Sequence, residues 1–393
     1  MREQRAMQAP VNKEDPLVTF APGFELQPFF CPIEEAIHPD YEELARACVE
    51  WADANDMYGD DAVERAWGLF GTRSDLAFAR GCPAAPKDRM FILMLWALWI
   101  FVGDDNHHHD TNSIGLTGRP GGPSNKIARM VDLAGRMTCA TDGPETLLDK
   151  DRNGGSRLVR TLARIMDMIR ARATPTQMQR ILDRQRQWVL GELWLSSALE
   201  LGIVPTVEEY TMQRHSSSGG LYAFEVQAWG QDLRMTDAER NHPTVVAAAN
   251  AANMVISWDN DLISYPKEER HGEEKGNSVG VMAHQLCCSP QDAVAEVTAV
   301  RDRVMSLFLA LHEKLTHTGS DDVRQFVDLL AHIIRGHLDW AVAIPRYREI
   351  TDHKEPPTLD LPQMRMEWSH APSDPCMEPV DIGPIKWWWD QLR

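Results

Sequence analysis

The sequence predicts an all-α fold carried by one domain, and three observations lead there. Apolar residues recur at helical spacing along most of the chain, and convincing period-2 strands are absent. Nothing between residues 36 and 350 reads as a linker, and no repeat at solenoid periods is found. The division that follows is an irregular arm at 1–35, a helical domain at 36–353 and a Pro- and Trp-rich tail at 354–393.

In chain order, the arm is rich in Pro and Phe. "PDYEELARACVEWADANDM" then places Leu44, Cys48 and Trp51 on one stripe with charges elsewhere. Residues 62–70, 87–103, 125–140, 156–171, 175–201, 207–215, 221–231, 243–265, 290–316 and 320–345 follow the same rule. Between them "GCPAAPKD" (81–88), "GRPGGPS" (118–124) and "HGEEKGNS" (271–278) are loops by their Gly, Pro and charge content. "GDDAVE" (59–64) and "GSDDVRQ" (319–325) read as helix N-termini, where carboxylates meet the positive end of the peptide dipole. The closing "KWWWDQL" suggests a segment docked on the body or on a partner.

Composition narrows the function. The chain has 393 residues, with 58 Asp and Glu against 40 Lys and Arg, a formal net charge of −18. So acidic a protein is a poor binder of nucleic acid or of an anionic membrane through its general field. An anionic ligand would need placed cations or bridging metal ions. The seven cysteines are scattered without a C-x-x-C pair, which fits reduced thiols in a cytoplasm. The first residues lack the apolar core of a secretory signal. The apolar run from Met90 to Val102 is too short for a bilayer, which needs roughly 20 residues, and reads as a buried helix.

That run ends in "FVGDDNHHHD", residues 101–110. Helical neighbours stand about 100° apart, so His107, His108 and His109 fan out instead of converging on one ion. They read as a polar helix end. Asp104 and Asp105 close the apolar helix and so stand at the rim of whatever it lines. Further on, "WDNDLISYPKEER" (258–270) spaces Asn260, Ser264 and Glu268 at i, i+4 and i+8. An amide oxygen, a hydroxyl and a carboxylate then stack along one helical face, drifting about 40° per step. These are hard oxygen donors of the kind magnesium prefers.

Together these stretches resemble class I terpene cyclases of the bacterial branch, with some likeness to 2-methylisoborneol synthases. "NDLISYPKE" is similar to the family's second metal-binding motif and "WALWIFVGDD" to its aspartate-rich motif. Arg214, in "EYTMQRHSSSGG", lies 46 residues before Asn260, where the family has its diphosphate-sensing arginine. "HLDWAVAIPRYRE" carries Arg346 and Tyr347, resembling the late Arg-Tyr pair. The likeness spans roughly residues 20–350.

The resemblance implies a class I terpenoid synthase bundle around a central apolar cavity. In it an isoprenyl diphosphate, farnesyl diphosphate first among them, ionises and cyclises. It implies three Mg2+ ions, with Mn2+ as a substitute, two held by Asp104 and Asp105 and one by Asn260, Ser264 and Glu268. Arg214, Lys267, Arg346 and Tyr347 would bind the diphosphate. Phe101 and Trp340, with Ile100 and Trp96, would line the cavity. No nucleic acid or membrane span is expected, and a homodimer is left open. Geranyl, 2-methylgeranyl and geranylgeranyl diphosphate are the alternative substrates. A chain-elongating prenyltransferase would need a second aspartate-rich motif, and a non-catalytic helical binder would not need the intact Asn260, Ser264, Glu268 and Arg214.

Three features depart from the family pattern. His108 stands where a third acid is usual, and Asp110 falls six residues after Asp104. Pro266 sits inside the second motif and predicts a kink or loosening between Ser264 and Glu268. Four residues after Arg214 comes Ser218, with Gly219 one later, where the family often has Gly.

Overall fold

The computed structural model describes residues 24–109, 135, 157–348, 354–359 and 366–393, with the side chains of 102–109 and 158 outside that description. The chain opens with β1 (Phe29–Phe30), α1 (Tyr41–Ala54), α2 (Ala62–Ala66), a π-helical turn (Trp67–Gly71), α3 (Ser74–Gly81) and α4 (Lys87–His109). Next come α5 (Arg157–Arg170), α6 (Pro175–Leu201), α7 (Val207–Ser217), α8 (Gly220–Gly230), the short α9 (Asp237–Arg240) and α10 (Pro243–His271). A 3-10 turn (Glu274–Gly276) leads to α11 (Ser278–Leu286), α12 (Pro290–Thr318), α13 (Asp321–Ala341) and the single turn α14 (Pro345–Arg348). The tail contributes β2 (Trp368–Ser369) and a 3-10 segment (Gly383–Leu392).

Local chemistry sets these boundaries. Thr174 and Thr206 each close a capping box, with Gln177 and Glu209 as the returning side chains. Asp61 accepts from the amides of Val63 and Glu64, and Ser320 caps α13, so both acidic stretches are helix starts as expected. α13 stops short of its expected end at 345. Pro345 disfavours helical backbone at Ile344, and a new turn begins at Pro345 instead.

α10 is the central helix. Its first half carries Ala247, Ala248, Ala249, Ala251 and Ala252, all buried, and small side chains let neighbouring helices approach closely. It packs against α12, α13, α7, α8 and α11. At Gly220 a methyl group would lie 2.0 Å from the Asn253 side-chain oxygen, so α8 meets α10 at a point only glycine fits. Gly219 beside it adopts φ +70° and breaks α7 from α8.

Several expectations change. α3 and α11 are helices that the sequence reading placed in none of its helical segments. At eight and nine residues they are too short for a strong periodic signal. Most of the expected helix at 125–140 lies outside the described residues, as does Asp110. α10 continues as helix through Pro266, so the second motif is not broken there. The arm and tail form a two-stranded parallel pairing, Phe29 opposite Trp368 and Phe30 opposite Ser369. The tryptophan-rich end docks on the body, against α7, α10 and α12. There Lys314 donates to the Gln391 and Arg393 carbonyls, each at 2.8 Å. All six cysteines among the described residues are free thiols. No helix among the described residues is long and apolar enough to cross a membrane.

Candidate active site

A cavity of about 230 Å3 opens between α4, α6, α8, α10 and α13. Its apolar wall includes Phe78, Trp96, Ile100, Phe101, Trp188, Phe224, Ile256, Ile333 and Trp340. Its polar side gathers Arg214, Asn260, Ser264, Lys267, Glu268, Arg346 and Tyr347. Residues scattered across more than 250 positions of sequence therefore share one chamber.

On α10 the spacing of Asn260, Ser264 and Glu268 gives one face, as helical geometry requires. The Ser264 hydroxyl donates to Glu268 Oε1 at 2.6 Å. Asn260 donates its amide to the Tyr347 hydroxyl at 2.7 Å, and its Oδ1 accepts from Arg214 Nη2 at 3.3 Å. Burial, reinforced by the charge of Asp261, raises the Glu268 pKa above the usual carboxylate value, while hydrogen bonds from Ser264 and Asn277 oppose the shift.

Arg214 is held by Asp261 at 2.8 Å, and Asp261 is 1% exposed. Burial works against the guanidinium charge, but Asp261, Tyr210, Glu268 and Glu192 together more than offset it and the pKa rises. Asp261 also accepts from the Tyr210 hydroxyl and, at 3.1 Å, from the Ser278 amide. Arg346 stacks over the Phe101 ring, its guanidinium carbon 5.4 Å from the centroid. Trp340 meets Phe101 edge-on at 5.2 Å and Tyr347 edge-on at 5.7 Å. The Trp340 indole N–H donates to the Thr72 carbonyl at 2.7 Å, which fixes the ring against the wall.

All the sequence-predicted residues of α10, α13 and α14 and Arg214 come together here, with Phe101, Ile100 and Trp96 on the same lining. Asp104 and Asp105 lie on α4, four and five residues beyond Ile100, with side chains outside the described set. Sequence reasoning missed Asp261, Asn277, Tyr210, Trp188 and His337. Asp261 was legible only as the neighbour of Asn260, on another face of the helix. Asn277 sat in a stretch read purely as loop.

The donor set on α10 fits a hard dication. It is all oxygen and lines the cavity, with Ser264 buried and Asn260 and Glu268 half-buried, and two of its members stand within hydrogen-bond distance of each other.

Fold and site together define a class I terpene synthase, a lyase acting on diphosphates. The chain belongs to terpene synthase family 2: the family model described as "Terpene synthase family 2, C-terminal metal binding" matches residues 95–306. It is 30% identical to spiroviolene synthase of Streptomyces violens over 93% of this chain and 97% of that one. It is 25% identical to a 4-epi-cubebol synthase of Streptosporangium roseum, named as (2E,6E)-farnesyl diphosphate cyclizing, over 82% of this chain and 92% of that one. Among solved structures, the SVS_A2 protein from ancestral sequence reconstruction matches with a TM-score of 0.75 at 29% identity, covering 93% of this chain and 99% of that one.

Proposed function

We propose that this synthase is a magnesium-dependent cyclase of farnesyl diphosphate that yields a cyclic sesquiterpene hydrocarbon or alcohol. The observation that carries the proposal is the convergence of Asn260, Ser264, Glu268, Arg214, Arg346 and Tyr347 on the lining of one cavity that also carries Phe78, Trp96, Phe101, Trp188, Phe224 and Trp340. The farnesyl chain length is supported by the name of the Streptosporangium relative.

In this reading Asp104 and Asp105, from α4, and Asn260, Ser264 and Glu268, from α10, hold three Mg2+ ions, for which Mn2+ can substitute. When bound, the ions neutralise the charge that develops on the departing diphosphate. Arg214, Lys267, Arg346 and Tyr347 donate hydrogen bonds to diphosphate oxygens, and charge-assisted donors are the strong ones. Because Asp261 and Tyr210 hold Arg214 in place, that donor is preorganised. Phe101 and Trp340 present π faces to the cation, and the apolar wall keeps water away from it. An acidic protein thereby binds an anion through metals and a few placed cations.

The test is incubation with geranyl, 2-methylgeranyl, farnesyl and geranylgeranyl diphosphate in Mg2+, followed by gas chromatography–mass spectrometry. Farnesyl diphosphate should give a cyclic C15 product. Turnover confined to another chain length would overturn the substrate assignment.

A further inference from the structure

One face of α13 supplies Ile333, His337 and Trp340 to the cavity, at i, i+4 and i+7. Trp340 is the member nearest in sequence to Arg346 and Tyr347, and it touches the Tyr347 ring. His337 lies one helical turn further back, its ring 5.5 Å from that of Trp340. Among the described residues it is the one histidine on the wall of the cavity.

The Nδ1 atom of His337 is buried and has no hydrogen-bond partner among the described residues. The contrast with other helical histidines is informative. His271 and His317 satisfy Nδ1 on the carbonyl four residues back, at 2.8 and 2.7 Å. On α13 both His332 and His337 leave Nδ1 without such a bond, and of the two only His337 lines the cavity. A buried nitrogen without a partner costs stability, and its place on a reaction wall gives that cost a use.

We propose that His337 is the proton acceptor that ends the carbocation sequence. The proposal rests on the cyclase reading above. A ring nitrogen of the neutral imidazole takes a proton from the carbon next to the last cationic centre. The electron pair of that C–H bond becomes the new carbon–carbon double bond, and His337 becomes an imidazolium. Its proton passes to solvent after the hydrocarbon leaves. A carbon acid β to a full cationic centre is strong enough to protonate even a weak base. Burial, with Arg214 and Arg301 acting in the same direction, pushes the imidazolium pKa down to about 3, so the ring meets the cation uncharged. Among the described residues the carboxylates on the wall are Glu192, Glu268 and Glu273, and each has a partner of its own. Glu268 accepts from Ser264 and Asn277, and the charge of Glu192 acts on Arg214.

His337→Gln and His337→Phe, assayed for products and for diphosphate release, test this, with Glu192→Gln alongside. The second variant keeps an aromatic ring and removes the lone pair, should the first fold poorly. The expected result is that the main hydrocarbon falls at least about tenfold as a share of total product. Its place is taken by alkenes of the same carbon skeleton that lost a different hydrogen, or by the matching alcohol. Four results would overturn the proposal: unchanged product shares, lower diphosphate release with unchanged shares, new carbon skeletons, or the switch arising in Glu192→Gln instead. A wild-type product formed only by water capture would do so too. Absence of diphosphate release from every prenyl diphosphate by the wild-type protein would remove the cyclase reading itself, a failure visible before any variant is made.

Discussion

Asn277 Nδ2 donates to Glu268 Oε2 at 2.8 Å and to the Asp261 carbonyl at 2.8 Å. One buried amide thus ties the loop after α10 to the carboxylate at the end of the proposed magnesium face, while Ser264 fixes the other carboxylate oxygen. Glu268 is oriented from both sides before any ion arrives. Partners of metal-binding side chains typically matter by about 10- to 100-fold. Asn277→Leu should therefore lower turnover by about that factor at limiting Mg2+, with partial recovery as Mg2+ is raised. Diphosphate release measured against Mg2+ concentration checks this, and a curve superimposable on wild type would contradict it.

The two proposed metal-binding stretches predict a sharp contrast among neighbouring residues. Asp104→Asn and Glu268→Gln should each cost about 100-fold or more in turnover, the scale on which removal of one transition-state electrostatic group is felt. His109→Ala, five residues beyond Asp104 and outside the proposed magnesium set, should leave turnover within a few-fold of wild type. Steady-state kinetics on the three variants separates them. Wild-type-like turnover in Glu268→Gln would break the metal assignment.

How much of this could be read in advance depended on the reach of each signal. The face made by Asn260, Ser264 and Glu268 follows from helical spacing alone, so it was visible and the structure reproduces it. That Arg214, Arg346 and Trp340 share a cavity with that face came from likeness to a family, because no local rule brings residues 46, 80 or 86 positions away into one chamber. Asn277 and Asp261 carry no periodic or motif signal. Their roles exist only once the loop after α10 folds back on the helix. Pro266 lies inside a continuous α10, so the helical spacing of the motif survives the proline.

Two histidines make stability fall on the acid side. Burial lowers the His215 pKa to about 4 and the His337 pKa to about 3, below the ordinary value of about 6.5 that each regains on unfolding. Below pH 6.5 the unfolded chain takes up protons that the folded chain refuses, so stability declines as pH drops toward the folded values. Each ring contributes at most about 1.4 kcal/mol per pH unit, and less where cavity water reaches it. Between pH 7 and 5 the buried Asp259, its pKa raised to about 6 mainly by burial, works in the opposite sense, so the check is the difference between wild type and His215→Phe in denaturant unfolding, which should show the His215 slope. An unchanged slope in that variant would show that His215 titrates normally.

The tail makes the last prediction. Trp388 is 1% exposed, and its ring lies 5.2 Å from that of His215, the residue after Arg214. Around it Ile382, Ile385 and Trp389 are buried as well, while Gly383 donates its amide to Glu208 at 2.8 Å. Trp387, in the same triplet, is 37% exposed. The three adjacent tryptophans are therefore not equivalent: two enter the body and one faces outward. Trp388→Ala removes a large buried ring and should destabilise the fold by about 3–5 kcal/mol. Trp387→Ala should stay within about 0.5 kcal/mol, as exposed substitutions usually do. Thermal unfolding of the pair decides the matter, since equal losses would mean that the segment is not docked as a structural element. A melting temperature for Trp388→Ala near that of wild type would likewise remove the tail from the core.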